Sequence, residues 1–129
     1  MKRTALFVAA ALAPIGFVSV AHADLALATS KGCMSCHSVE KKIIGPSYGQ
    51  VAGCYASKDA TKLAANKMLL LKHVKEGGAG VWGPIPMPAN PSATTEELTK
   101  IVDWVMATAP LECPEKFTEL AKARAAAKP

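Results

Sequence analysis

The chain has 129 residues and a formal net charge of +5, with 15 Lys and Arg against 10 Asp and Glu. This length is typical of one domain. No run of five or more like charges occurs, and without Lys2 and Arg3 the formal charge falls by two, to +3. The chain is therefore at most mildly basic, and its charge pattern gives nucleic-acid binding no support.

Residues 1–23 are predicted to be a cleaved secretory signal peptide. Lys2 and Arg3 form a charged start, residues 6–20 are almost wholly apolar, and residues 21–23 (AHA) have the small-x-small pattern of a signal peptidase site. A retained membrane anchor is the alternative, but it needs a longer span with no cleavage site. We therefore expect a mature protein of about 106 residues that starts at Asp24, is exported to the periplasm and makes no stable membrane insertion.

The mature chain shows helical patterns and no alternating strand pattern, so the predicted fold class is all-α. Helices are predicted at residues 24–28, at 48–55, at 61–76, from the Thr94-x-x-Glu97 capping box to Pro110, and from Pro114 onward. Gly77 and Gly78 end the third helix, where a left-handed residue is usual. Residues 79–93 are too rich in Gly and Pro for regular structure.

Residues 33–37 read CMSCH, and in an exported chain the Cys-x-x-Cys-His motif indicates covalent attachment of c-type haem. Cys33 and Cys36 would add across the haem vinyl groups, which leaves His37 under the iron. A structural zinc site needs a second ligand pair, and the remaining Cys and His residues are too scattered for one. A thioredoxin-like dithiol would need surrounding strands. The motif therefore predicts one covalent haem c, with its iron, as the cofactor.

The second axial position of that iron determines its chemistry: an open position binds oxygen, nitric oxide or peroxide, and a methionine there favours electron transfer. The candidates are Met34, Met68, Met87, Met106 and His73. Met87 is favoured because Pro86 and Pro88 flank it and lower the entropy cost of holding its sulfur. Met68 and Met106 lie in predicted helices, where methionine is more often a core residue. Met34 lies within the attachment motif itself.

Four segments together resemble the short bacterial class I cytochromes c: CMSCH, residues 44–48 (IGPSY), residues 80–90 (GVWGPIPMPAN), and the helix that carries Trp104. Members of this family are small periplasmic electron carriers of the type that donates to nitrite reductase and terminal oxidases. The resemblance covers roughly residues 24–108. It implies a cytochrome c domain at residues 24–109, with short helices around one haem. Such proteins normally stop there, so residues 110–129 are a departure from the family and are predicted to form an additional helical C-terminal extension.

The resemblance implies iron ligation by His37 and Met87, and thioethers at Cys33 and Cys36. It also implies that the Pro46 carbonyl accepts a hydrogen bond from the His37 ring.

Three further residues receive roles from the resemblance. Trp82 would donate its indole N–H to a haem propionate, and Asn90 would hydrogen-bond near the methionine sulfur. His73 would lie near a propionate and make the reduction potential depend on pH. Taken alone, Trp82 could be a core residue and Asn90 a residue that leads into a helix. His73 could be a solvated helix residue, and Pro46 part of a plain turn.

Cys54 and Cys113 lie in the two segments where the chain departs from the family pattern, residues 54–67 and the C-terminal extension. Spare cysteines of exported proteins tend to pair. We predict a Cys54–Cys113 disulfide that joins the extension to the domain, with two isolated thiols as the alternative.

These features predict a monomeric electron-transfer protein that is not an enzyme and that exchanges electrons with periplasmic redox proteins. A dedicated cytochrome subunit of a periplasmic dehydrogenase, for example in sulfur-compound oxidation, is the alternative. A gas-binding or peroxide-reducing cytochrome of the four-helix-bundle type is disfavoured. Such proteins carry the attachment motif near the C-terminus, whereas in this chain the motif comes early. Partners are expected to dock on an apolar rim that includes Met34 and Ile85, with steering by Lys41 and Lys42.

Overall fold

The computed structural model describes residues 20–117, with side chains from residue 24 onward. Its helices are α1 (Val20–Ser30), a 3-10 turn (Cys33–Ser35), α2 (Tyr48–Tyr55), α3 (Ala60–Glu76) and α4 (Thr95–Ala107). Between residues 20 and 117 there is no strand, only an isolated antiparallel bridge that pairs Gly78 with Met87. The predicted all-α class is confirmed.

Two predicted segments extend beyond this range. The signal peptide lies outside the described residues except for the backbone of its last four, and so does the C-terminal extension after Phe117. Residues 115–117 are helical, where a terminal helix is predicted. None of the helices within residues 20–117 is long and apolar enough to cross a membrane.

The helix ends follow from local capping. The Thr94 hydroxyl accepts from the Glu97 N–H at 3.2 Å and the Glu97 carboxylate accepts from the Thr94 N–H at 2.9 Å, which confirms the predicted capping box of α4. α3 ends at Gly77, whose φ of 77° confirms that a positive-φ residue stops this helix. α1 is longer than the predicted residues 24–28, and α4 ends before Pro110 because Thr108 is extended and its N–H bonds back to the Val105 carbonyl.

The core forms around α4, which packs against α1, α2 and α3. Its predicted apolar face is buried, with Leu98 fully enclosed and Ile101, Val102 and Val105 almost so. Lys31, just after α1, pairs with Glu97 in the first turn of α4 at 2.8 Å. α4 therefore forms one wall to which the other helices attach.

The C-terminal extension packs along α2, and the predicted disulfide is confirmed. Cys54 and Cys113 are bonded, with Cα atoms 4.8 Å apart. The Leu111 N–H donates to the Gly49 carbonyl at 2.9 Å. The Leu111 carbonyl lies where a β-carbon at Gly53 would stand, so the extension approaches α2 at backbone distance.

Candidate functional site

A cavity of about 570 Å³ lies between the attachment turn (residues 32–37), the segment 42–46, the inner face of α4 and the Met87 loop (residues 79–93). Small-molecule and cofactor sites span roughly 300–1,000 Å³, so the volume suits a cofactor. All eight predicted site residues line this cavity: Cys33, Cys36, His37, Pro46, His73, Trp82, Met87 and Asn90. Segments far apart in sequence thus converge on one site.

The attachment turn brings two thiols and an imidazole together within five residues. Gly32, with φ 76°, redirects the chain after α1, and the 3-10 turn at Cys33–Ser35 follows at once. The His37 N–H donates to the Cys33 carbonyl at 3.1 Å. Cys33 and Cys36 are both free and half-buried, and their sulfur atoms stand for the thioether sulfurs of the haem-bearing protein. This turn can hold a planar cofactor at two points and present a ring nitrogen to it.

The His37 ring is buried and oriented by its neighbours. Its Nδ1 donates to the Pro46 carbonyl at 2.8 Å, the hydrogen bond expected from the resemblance. Because a carbonyl can only accept, the proton lies on Nδ1, and Nε2 keeps the lone pair that a metal needs. A β-carbon at Gly45 would collide with the ring, so the backbone passes close against it.

Tyr48 supports the same ring and also reaches the attachment turn. Its ring stacks on His37 with centroids 5.3 Å apart and planes at 14°, and Trp104 meets it edge-on. Burial raises the pKa of Tyr48 well above its usual range, and the neighbouring Cys33 sulfur adds to this rise. Burial also raises the pKa of the Cys33 thiol. The sequence analysis did not single out Tyr48, although its place two residues after Pro46 was a usable signal.

The Met87 loop is fixed at its ends. Gly78 and Met87 exchange two backbone hydrogen bonds of 3.0 and 2.8 Å, and the Asn90 N–H donates to the Val74 carbonyl at 3.1 Å. A β-carbon at Gly77 would stand 2.7 Å from the Met87 carbonyl, so this residue allows the loop to cross the end of α3. Among the methionines of residues 24–117, Met87 is the one that lines the cavity.

Asn90 ties this loop to the attachment turn. Its Nδ2 donates to the Lys31 carbonyl at 3.1 Å, and its Oδ1 accepts from the Ser92 hydroxyl at 3.1 Å. These bonds fix the amide orientation, and the second Nδ2 hydrogen is the one that could reach a neighbouring sulfur. The role of Asn90 toward Met87 stays a prediction.

Trp82 and His73 lie on the cavity wall, and their predicted roles toward a propionate stay predictions. Trp82 is half-buried in the Met87 loop and stacks on Phe117. His73 lies in the last turn of α3, and its carbonyl accepts from the Gly77 N–H.

Exposed apolar side chains surround the cavity opening. Ile43, Ile44 and Ile85 line the cavity and are more than half exposed, with Lys42 beside them. Met34, which was expected to belong to the apolar docking rim, is only half-exposed and packs against the core. The two isoleucines after Lys42 were missed by the sequence analysis, although they interrupt a polar segment.

Within residues 24–117 no three His, Cys, Asp or Glu side chains cluster in a way that could hold a metal ion. Cys54 and Cys113, which a second ligand pair would need, are bonded to each other instead.

Comparison with known proteins agrees with this site. The family model described as cytochrome c matches residues 25–109. The chain is 46% identical over 88 residues to cytochrome c2 of Rhodocyclus tenuis, covering 64% of this chain and 89% of the relative. It is 39% identical over 102 residues to cytochrome c-552 of Nitrosomonas europaea, covering 78% and 89%.

The fold also matches a solved structure. The crystal structure of wild-type Nitrosomonas europaea cytochrome c552 has a TM-score of 0.58 and 34% identity to this chain, and the match covers 65% of this chain and 98% of that one.

Proposed function

The chain belongs to the cytochrome c family and binds haem c through its Cys-x-x-Cys motif, and on that premise we propose that it is a periplasmic electron carrier whose iron is held by His37 and Met87. In this proposal residues 24–109 form the haem-binding domain. The iron alternates between ferric and ferrous states, electrons pass to and from other periplasmic redox proteins, and the monomeric protein catalyses no reaction of its own.

The observation that carries the proposal is the convergence of His37 and Met87 on one apolar cavity from separate segments. In the neutral His37 ring, the hydrogen bond to Pro46 places the proton on Nδ1 and leaves Nε2 available to a metal, and the paired backbone bonds between Gly78 and Met87 fix the position of the thioether segment. The paired thiols of the attachment turn lie on the same wall. The residues present therefore fit a covalently tethered haem.

Ligation by these two groups favours electron transfer over catalysis. The haem supplies the one-electron chemistry, and the chain supplies two fixed neutral ligands. If His37 and Met87 both held the iron, no position would be left for a substrate, and the methionine ligand would raise the reduction potential. The surrounding hydrogen bonds hold each ligand in place during oxidation and reduction.

Two features support an exported location. Residues 1–23 have the pattern of a signal peptide. The Cys54–Cys113 disulfide is of a kind that forms and persists in oxidising compartments such as the periplasm.

The Met87→Ala variant tests the ligand assignment. Methionine–iron ligation gives a weak band at the red end of the ferric visible spectrum, so this variant should lose the band and have a lower reduction potential while its haem stays attached. Met68→Ala is the matched control, because this side chain is 72% exposed on α3 and does not line the cavity. Loss of the band in Met68→Ala, with its retention in Met87→Ala, would contradict the assignment.

A further inference from the structure

The described part of the C-terminal extension ends in a contact with a wall of the cavity. The Phe117 ring stacks on Trp82 with centroids 4.4 Å apart and planes at 25°. Phe117 is only 8% exposed, and it is not among the residues that line the cavity, whereas Trp82 is. The extension therefore covers the tryptophan from the side away from the cavity.

Phe117 is held in place by contacts outside the Met87 loop. Cys113, four residues earlier, is bonded to Cys54 at the end of α2. Tyr55, the next residue of that helix, meets the Phe117 ring edge-on at 5.4 Å. The Phe117 N–H also donates to the Pro114 carbonyl at 2.9 Å. The ring is thus part of the packing around α2.

Trp82, in contrast, lies where the backbone has little support. Gly80 and Gly83 flank it with φ of 77° and 138°. The backbone hydrogen bonds of the loop lie near its ends, at Gly78, Met87 and Asn90, and residues 79–86 make none with the rest of the described chain. Side-chain packing must therefore fix the direction of the indole, and a stacked aromatic pair contributes about 0.5–1.5 kcal/mol beyond its buried area.

We propose that Phe117 is a positioning residue for Trp82, by which the C-terminal extension holds the indole N–H toward the haem propionate. This inference rests on the proposed function and on the role toward a propionate that the resemblance implies for Trp82. An indole N–H dipole partly offsets the negative charge of a propionate. If the indole turns away, that charge favours the ferric iron more strongly, and the reduction potential falls.

Exchange of the Trp82 indole proton with solvent, measured by NMR on the ferrous holoprotein, reports the position of the ring directly. In Phe117→Ala we expect this exchange to be about tenfold faster, because the stacked partner that limits local opening is gone. The reduction potential should fall in the same variant. Phe117→Tyr keeps the aromatic ring, so its indole exchange rate and its reduction potential should both be close to those of the wild type.

A double-mutant cycle separates positioning from general loosening. If Phe117 acts through the indole, Phe117→Ala should not change the potential of a Trp82→Phe protein. Leu111→Ala is a matched control in the same extension, and it should lower stability without changing the exchange of the Trp82 indole proton.

Unchanged exchange of the indole proton in folded Phe117→Ala would overturn the inference. It would also be overturned if Phe117→Ala shifted the reduction potential equally in the wild type and in the Trp82→Phe protein. The methionine–iron band tests the proposed function separately. If that band is present and the indole exchange is unaffected, only the positioning role fails. If the band is absent from the wild type, the ligand assignment fails whatever the exchange rates are.

Discussion

The orientation of His37 depends on the close approach of one backbone segment. Gly45 donates its N–H to the Cys36 carbonyl at 2.8 Å, and its α-carbon passes directly against the imidazole. The hydrogen bond to Pro46 pulls the ring from the same side. A motif fixes the distance between the cysteines and the histidine, but this segment fixes the direction of the ring.

Gly45→Ala should therefore destabilise the holoprotein. Its methyl group would displace the His37 ring, and overpacking of this kind costs about 1–3 kcal/mol. Denaturant unfolding of the holoprotein measures the loss. Gly78→Ala is the control, because a β-carbon there meets only the His73 ring at 3.8 Å, an ordinary contact. Equal stability of the two variants would contradict this account of the ring.

At the scale of the helices, the first turn of α4 links three segments. Glu97 caps Thr94 and pairs with Lys31, while the Lys31 carbonyl accepts from Asn90 in the Met87 loop. The hydrogen bond from Lys31, followed by that from the Thr94 N–H, lowers the pKa of Glu97. The ionised carboxylate is therefore favoured by folding.

Glu97→Gln isolates this ion pair, because glutamine can also complete a capping box. A lowered folded pKa adds stability above the unfolded value of about 4.3, and this stability is lost as the pH falls through the folded value. The variant should be slightly less stable at pH 7, and the difference should shrink as the pH falls below the unfolded pKa and vanish below the lowered folded pKa. Glu96→Gln removes a carboxylate from the same helix turn, and its partner is Lys100 within α4. Identical pH profiles of the two variants would exclude the link to Lys31.

The helices show which features a sequence can predict. The bounds of α2 and the start and buried face of α4 were predictable because capping and 3.6-residue periodicity are local. The sequence could propose residues of the attachment turn and the Met87 loop, which line one cavity, because the CMSCH motif and the proline-flanked Met87 match a family pattern. The contact of Phe117 with Trp82 and the backbone approach of Leu111 to Gly53 depend on how distant segments pack, and no local pattern encodes them.

Over the whole molecule, the disulfide is the covalent link between α2 and the C-terminal extension. It joins residues 59 positions apart. Closing a loop of this length restricts the unfolded chain and contributes on the order of 4 kcal/mol. The bond lies between the contacts that Leu111 and Phe117 make with α2, so the packing of the extension should depend on it.

The paired variant Cys54→Ser and Cys113→Ser should lower the free energy of unfolding by about 2–4 kcal/mol, with haem still attached. Urea unfolding of the holoprotein measures the change. Intact mass with thiol alkylation is the control: the wild type should take up no label and the fully reduced protein two per chain. A wild-type chain that takes up two labels before reduction would contradict the pairing.

The cavity opening is where the whole molecule can meet a redox partner. Ile43, Ile44 and Ile85 form an exposed apolar rim there, with Lys41 and Lys42 next to it. Electron transfer needs close approach to the haem edge, and burial of an apolar rim against a partner favours that approach. The lysines add a charge that acts over about 8 Å at physiological ionic strength.

Ile85→Gln should slow electron exchange without moving the reduction potential, because it removes apolar contact area and adds no charge. Self-exchange between oxidised and reduced copies, followed by NMR line broadening, needs no identified partner. Burying an isoleucine is worth about 1.5–3 kcal/mol, so partial loss of this contact corresponds to about tenfold in rate. Met68→Gln changes a similarly exposed apolar residue on α3 that does not line the cavity, and it should leave the rate unchanged. Equal rates in Ile85→Gln and Met68→Gln would show that electrons leave the protein through another surface.

The lysines beside the rim predict an effect of salt on the same measurement. Because like-charged copies repel at these lysines, the wild-type self-exchange rate should rise with salt.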